Sequence, residues 1–404
     1  MLGSCQQDIS EIKADPKIKV ENTSNLTTEE ALLAINANAI AKTKFDCSYD
    51  ALSNKLLALS ANAAVAPSEC SLTELDKTIG SYLQQFGPLE QQFFGSYITV
   101  NQLATILDTD PQYFGALGEN TKLVEKQKKG LEKFWQMPGQ VRINAQHNAT
   151  LDNRDKIAGV YMVFAGYPSS LAYAVADQLL MVNQMSPVFV ETPLLSFDAF
   201  ATTDKLIVLG DGFMQVLAES GVENEVGVSG VLAHEWGHQV QFNNFQPWYG
   251  VAKEAFVPTP ESTRQIELEA DFFTGYYLTH QKGGTKNWKN AAEFFELFYK
   301  LGDCSFASEG HHGTPNQRLA ASRLGYLVSL VTSRANLNAS DVHTIFMATY
   351  NSILENKIAP KAILAGLKST YLKVIFASIM LHEKEVKGIM NGHLSKTQIK
   401  DLKD

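Results

Sequence analysis

The chain has 404 residues, 45% of them hydrophobic, enough for one large domain or two to three smaller ones with ample core. Its net charge of −9 argues against nucleic acid and against an anionic membrane surface as partners. No stretch supplies the roughly 20 mostly apolar residues of a membrane-spanning helix: Ala158 to Tyr167 is too short, and Tyr371 to Leu381 is short and carries Lys373.

Met1-Leu-Gly-Ser-Cys5 resembles the end of a bacterial lipoprotein signal, without the charged and long apolar segments that precede such an end. Two readings stand: a lipid anchor at Cys5 left by a trimmed signal, or a chance likeness. The other cysteines are Cys47, Cys70 and Cys304, and no C-x-x-C pair suggests a cysteine metal site. In an oxidising compartment Cys47 and Cys70 are candidates for a disulfide; in the cytosol all are thiols. The expected location is the bacterial cell envelope or periplasm, with the cytoplasm as the alternative.

Residues 1–28 are polar and read as a flexible tail. Residues 29–137 read as a helical region. Capping boxes at Thr27-x-x-Glu30 and Ser71-x-x-Glu74 open two helices, and further helical patterns run over Tyr49–Ala63 and Thr121–Trp135. Met137-Pro-Gly139 breaks the chain, and from Gln140 the pattern changes. Val160-Tyr-Met-Val-Phe164 and Leu206-Ile-Val-Leu209 read as strands, with a helix from Ser170 to Met185 between them. Later helices are expected at Ala291–Leu301, Gln317–Arg334, Val342–Leu354 and Pro360–His382. The class is α+β, predominantly helical, with a small sheet in a domain over 138–340 and C-terminal helices over 341–404 packed on it.

Within Val226 to Phe242, which also reads as helix, lies His234-Glu-Trp-Gly-His238, an H-E-x-x-H motif. Residues four apart share one helix face, so His234 and His238 can aim two imidazoles at one ion. Glu235 sits one position round, within reach of a water on that ion. This pattern is that of a zinc hydrolase with Glu as general base. The alternative is a solvated polar stripe, but Val226, Val228, Val231, Leu232, Ala233 and Val240 make the helix apolar, and buried His and Glu need partners. Gly230 and Gly237 weaken the helix, which points to close approach of another segment.

A catalytic zinc usually takes a third protein ligand and keeps one open position. Glu254, Glu261, Glu267 and Glu269 are the downstream candidates. Ser262-Thr-Arg-Gln265 reads as a capping box opening a helix that stops at Gly283-Gly284. In it Glu267 and Asp271 share a face and Glu269 lies nearly opposite. Glu267 as ligand, with Asp271 accepting from a ligand His, fits this spacing. Further on, Thr314, Pro315 and Gln317 read as the N-cap, N1 and N3 of another helix. Either His311 or His312 before that turn could donate to the oxyanion of a tetrahedral intermediate, or stand as a loop histidine, with Arg318 in an ion pair.

Ala233-His-Glu-Trp-Gly-His-Gln-Val-Gln241, Glu267-Leu-Glu-Ala-Asp271 and His312-Gly-Thr-Pro-Asn-Gln-Arg318 together resemble the bacterial neutral zinc metallopeptidase family. They are also similar to the wider gluzincin group that includes HtpX-type and CAAX prenyl proteases. The likeness spans Val190 to Tyr326, about a third of the chain. It implies a zincin-like domain over 138–340 holding one catalytic zinc ion on His234, His238 and Glu267. It implies Glu235 as catalytic base, Asp271 as a group orienting a ligand, and His312 with Arg318 as transition-state groups. Ser196-Phe-Asp-Ala-Phe-Ala201 resembles the substrate-edge strand of those enzymes, so backbone near Ala199 and Phe200 is expected to pair with a peptide or protein substrate. The chain departs from the membrane-embedded members, which carry long hydrophobic spans, and nothing before Val190 matches a family motif. Two rivals to a working endopeptidase are a zinc-stabilised, chaperone-like binding protein and a latent enzyme covered by its own helices.

Overall fold

A computed structural model describes residues 73–284, 288–302, 312–332, 336–355 and 360–380. The tail, the helices expected before residue 64, His311 and all four cysteines lie outside the described residues, and with them the lipid anchor and the disulfide. In chain order the elements are α1 (Glu74–Leu83), α2 (Pro88–Leu107), α3 (Thr121–Phe134), β1 (Arg142–Gln146), α4 (Arg154–Phe164), α5 (Ser169–Met185), α6 (Pro187–Glu191), β2 (Ala199–Ala201), β3 (Leu206–Gly210) and α7 (Asp211–Glu219). Then follow α8 (Asn224–Asn243), α9 (Phe245–Tyr249), α10 (Pro260–Thr279), α11 (Trp288–Leu301), α12 (Pro315–Val331), α13 (Ala339–Leu354), α14 (Pro360–Gly366) and α15 (Thr370–Met380). The class is α+β and predominantly helical, with one small sheet. Among the described residues no helix is long and apolar enough to cross a membrane.

The described residues fall into two compact units. The first, residues 76–121 and 142–216, contains the sheet, in the order β1-β3-β2. β1 runs parallel to β3, with Asn144 opposite Val208, and β2 runs antiparallel to it, with Phe200 opposite Val208. β1 reads poorly as a strand because Asn144 and Gln146 are polar, yet both are buried. Asn144 Nδ2 donates to the Thr105 carbonyl at 2.7 Å and to the Asp108 carbonyl at 2.8 Å, and so serves the C-terminal end of α2.

The segment Val160–Phe164 is the second half of α4 rather than a strand. The Asn153 side chain accepts from the Asp155 and Lys156 amides and starts a helix there. Ile157, Ala158, Val160, Tyr161 and Phe164 are then buried at helical spacing. The run looks like a strand because so many of its residues are apolar that its period is hidden.

The second unit, residues 73–75, 122–141 and 217–380, is helical. α8 and α10 are its centre: 16 residues of α8, Val226 to Gln241 without a break, are buried. Gly230 and Gly237 stand where close approach was expected. A Cβ on Gly230 would meet Leu297 Cδ2 at 2.7 Å, and one on Gly237 would meet the Ala270 Cα at 3.2 Å. α10 and α12 come closer still, since a Cβ on Gly275 would lie 1.9 Å from the Ser322 carbonyl oxygen. α3 belongs to this unit: Gln127 Nε2 donates to Ser229 Oγ at 2.9 Å, and Phe134 packs edge-on against Tyr277.

Two boundaries differ from expectation. α10 begins one turn early, because Thr259 and Ser262 form the capping box and Pro260 takes N1, where its fixed φ suits a helix and its missing N–H is not needed. The stretch from Pro360 divides into α14 and α15, with Ser369 Oγ accepting from the Leu372 amide to open the second. Thr314, Pro315 and Gln317 occupy N-cap, N1 and N3 of α12.

Candidate metal centre

His234 and His238 project from one face of α8 and meet Glu267 from α10. The His234 Nε2 and His238 Nε2 atoms are 3.2 Å apart. Glu267 Oε2 lies 3.3 Å from His234 Nε2, and Oε1 lies 3.3 Å from His238 Nε2. All three residues are buried, and they are the group among the described residues that could hold a metal ion.

The spacing fits an ion. Ligands bonded at about 2.0–2.1 Å to a tetrahedral cation stand about 3.3 Å apart. Two imidazole nitrogens facing each other at 3.2 Å repel unless a proton or a cation lies between them. Glu267 Oε1 and Glu235 Oε2 are buried oxygens with no aligned hydrogen bond, in a position where such atoms normally have one. A nitrogen–nitrogen–carboxylate set of this kind suits a first-row divalent ion.

Further contacts orient the ligands. Asp271, one turn after Glu267 and buried, places Oδ1 2.9 Å from His234 Nδ1. The ring's N–H is not well aligned on that oxygen, so the contact is mainly electrostatic. Asp271 is gripped by Arg318 from α12, whose Nε and Nη2 each donate to it at 2.7 Å. Arg318 Nη1 donates to the Leu301 carbonyl, and Nη2 lies 3.8 Å from Glu267 Oε2. His238 Nδ1 lies 2.8 Å from Gln241 Oε1.

Burial alone would raise the Glu267 carboxyl; positive charge on His312 and His238 and the contacts of both ligand imidazoles outweigh it and hold the group well below the carboxylate range. Burial alone would lower the His234 imidazole, but Asp271 and Glu267 raise it above its ordinary value. Glu235 goes the other way from Glu267. Burial raises it, the Glu267 charge adds to the effect, and positive charge on His234, His238 and Arg318 offsets only part. Two carboxyls of one site are thus shifted in opposite directions.

The structure therefore brings together His234, Glu235, His238, Glu267, Asp271 and Arg318. His312 is buried and near enough for its charge to act on Glu267. Glu254 and Glu261 are exposed and apart from this cluster, while Glu269 is buried among Gln241, Tyr249 and His343. Ala199 and Phe200 lie in β2, paired with Leu209 and Val208 at the edge of the sheet, and both are buried. Gln241 had no expected role. It stands three residues after His238, a spacing that places it on the same helix face, and that was the available signal. No protein-family model, no curated protein and no solved structure matches this chain.

Proposed function

We propose that the protein is a zinc-dependent endopeptidase of the neutral metallopeptidase type, with a zincin-like helical site. The observation that carries this reading is the convergence of His234, His238 and Glu267 at 3.2–3.3 Å, with the underbonded Glu235 carboxyl beside them. A zinc ion on those three residues supplies Lewis acidity that polarises a peptide carbonyl and makes water acidic enough to lose a proton near neutral pH.

The chain's own residues do the rest. Glu235 accepts a proton from the attacking water and delivers it to the leaving amine. Asp271 holds His234 in place, and Arg318 acts through Asp271, because two of its guanidinium nitrogens are engaged there. His312, buried near Glu267, is the donor available to a developing oxyanion. On the family resemblance, the backbone near Ala199 and Phe200 in β2 is the stretch that would pair with an extended peptide.

Glu235→Gln tests the reading. Zinc content measured by elemental analysis is expected to stay at one ion per chain. Hydrolysis of a peptide library is expected to fall by about 100- to 10,000-fold. Cleavage at the unmodified rate would remove Glu235 from the chemistry. A second reading, a zinc-stabilised binding protein or latent enzyme, is favoured by the depth of the site, where His238 is 0% and Glu235 3% exposed. It predicts a full-length chain that binds zinc, gains thermal stability from it, and cleaves no peptide of the library.

A further inference from the structure

Glu269 lies on the face of α10 turned away from the metal ligands and is 0% exposed. Burying a carboxylate so deeply is costly unless several donors converge on it. Three do. His343 Nδ1 from α13 approaches Oε1 at 2.6 Å, the Tyr249 hydroxyl from α9 donates to Oε2, and Gln241 Nε2 donates to Oε2 at 3.2 Å. The His343 ring is itself held flat against the Trp248 indole, with centroids 4.3 Å apart.

The Gln241 contact leads back to the centre. Its Nε2 also donates to the Ile266 carbonyl at 2.8 Å, so both acceptors near that end of the amide require the nitrogen there. A flipped amide would set its oxygen against a carbonyl and a carboxylate. The oxygen must therefore face His238 Nδ1, at 2.8 Å, and that nitrogen must carry the proton. In the neutral ring the lone pair is then left on Nε2, the atom that faces His234 and Glu267.

We propose that Glu269, clamped by Tyr249 and His343, dictates the amide orientation of Gln241 and through it the tautomer of His238, and so sets how tightly the centre holds its ion. Glu269 and Gln241 are positioning residues, and His343 is a partly exposed member of the chain of contacts. The inference rests on the metal reading for its affinity consequence, but the tautomer it predicts belongs to the metal-free protein.

The test uses the full chain, stripped with a chelator, and two measurements. Competition with a chromophoric chelator gives the zinc dissociation constant, and the nitrogen chemical shifts of labelled imidazoles give the His238 tautomer. Gln241→Met keeps the volume and removes the acceptor; zinc affinity is expected to fall about 10- to 100-fold and the Nδ1–H form to lose its dominance. Glu269→Gln should give the same changes, smaller. His343→Ala should weaken zinc binding several-fold, and His343→Asn, which retains a donor near the Nδ1 position, should restore it. Wild-type affinity and an unchanged tautomer in Gln241→Met and Glu269→Gln would overturn the proposal. If those two variants do not fold, the His343→Ala and His343→Asn pair decides, equal affinities in the two overturning it. A wild-type chain that binds no zinc but shows His238 protonated at Nδ1 would strike the metal reading and leave the tautomer relay standing.

Discussion

The sheet unit and the helical unit both bury polar side chains, but to different ends. In the sheet unit several of those side chains answer the backbone or one another: Asn101 donates to the Leu195 carbonyl, Asn144 to two carbonyls at the end of α2, Tyr97 to the Leu179 carbonyl, and Ser186 to Glu90. In the helical unit His234, His238 and Glu267 turn ring nitrogens and carboxylate oxygens toward one another. Buried polarity that satisfies a backbone group stabilises a fold, whereas buried imidazole and carboxylate groups that converge at ligand spacing can hold a cation.

The largest test of that contrast is Glu267→Ala. It should reduce zinc affinity by at least about 100-fold while the chain stays folded, because it removes a ligand and leaves two imidazoles. Full zinc occupancy, measured by elemental analysis, would move the third ligand elsewhere. Arg318→Met comes next. Breaking a buried ion pair from one side leaves Asp271 uncompensated and should cost about 3–5 kcal/mol in chemical denaturation, with weaker zinc binding as a consequence. Unchanged stability would mean that Asp271 is not held as described.

In the sheet unit, Asn144→Leu should lower stability by about 1–3 kcal/mol by orphaning the α2 carbonyls, with no change in zinc affinity. A change in zinc affinity would break the contrast between the units. The centre should also respond to pH in a known direction. His234 is raised above its ordinary value in the metal-free chain, so protons compete with the ion already above about pH 6.5, and affinity should fall as pH falls through that range. Flat zinc affinity between neutral and mildly acidic pH would contradict it. The smallest effect belongs to Lys156 and Asp108, 2.8 Å apart and partly exposed. Burial opposes the charge on Asp108, but Lys156 and neighbouring donors hold its pKa below the ordinary value. Its contribution is therefore present above about pH 4 and is lost as pH falls below that. Lys156→Met should cost under about 1 kcal/mol at neutral pH, and less in acid.

How much of this could be read along the chain varies with distance in sequence. The pairing of His234 with His238, and of Glu267 with Asp271, follows from a helical step of four. The α12 cap follows from Thr314, Pro315 and Gln317 alone. Val160–Phe164 was misleading because its partly exposed positions, Met162 and Val163, are apolar too and mark no polar face. β1 was hidden because its buried Asn144 serves α2, more than thirty residues upstream. Glu269 read as the far side of a helix, and no local pattern reveals that Gln241, Tyr249 and His343 converge there. Likewise, Gln127 and Phe134 tie α3 to the helices of the candidate centre, so a truncation at residue 137 would strip part of that unit's packing.

By itself the sequence determined what lies within a helical turn or two: the imidazole pair, the adjacent carboxyl, the caps and the faces of α8 and α10. Those depend on the fixed rise and rotation of a helix, which each residue inherits from its neighbours. Only the tertiary structure decided that Glu267, already favoured by its spacing, meets the imidazole pair, that Arg318 grips Asp271 and that Gln241, Tyr249 and His343 converge on Glu269. Such meetings depend on how closely helices approach, and here that is set by glycines such as Gly237 and Gly275, where a single Cβ would push two backbones apart.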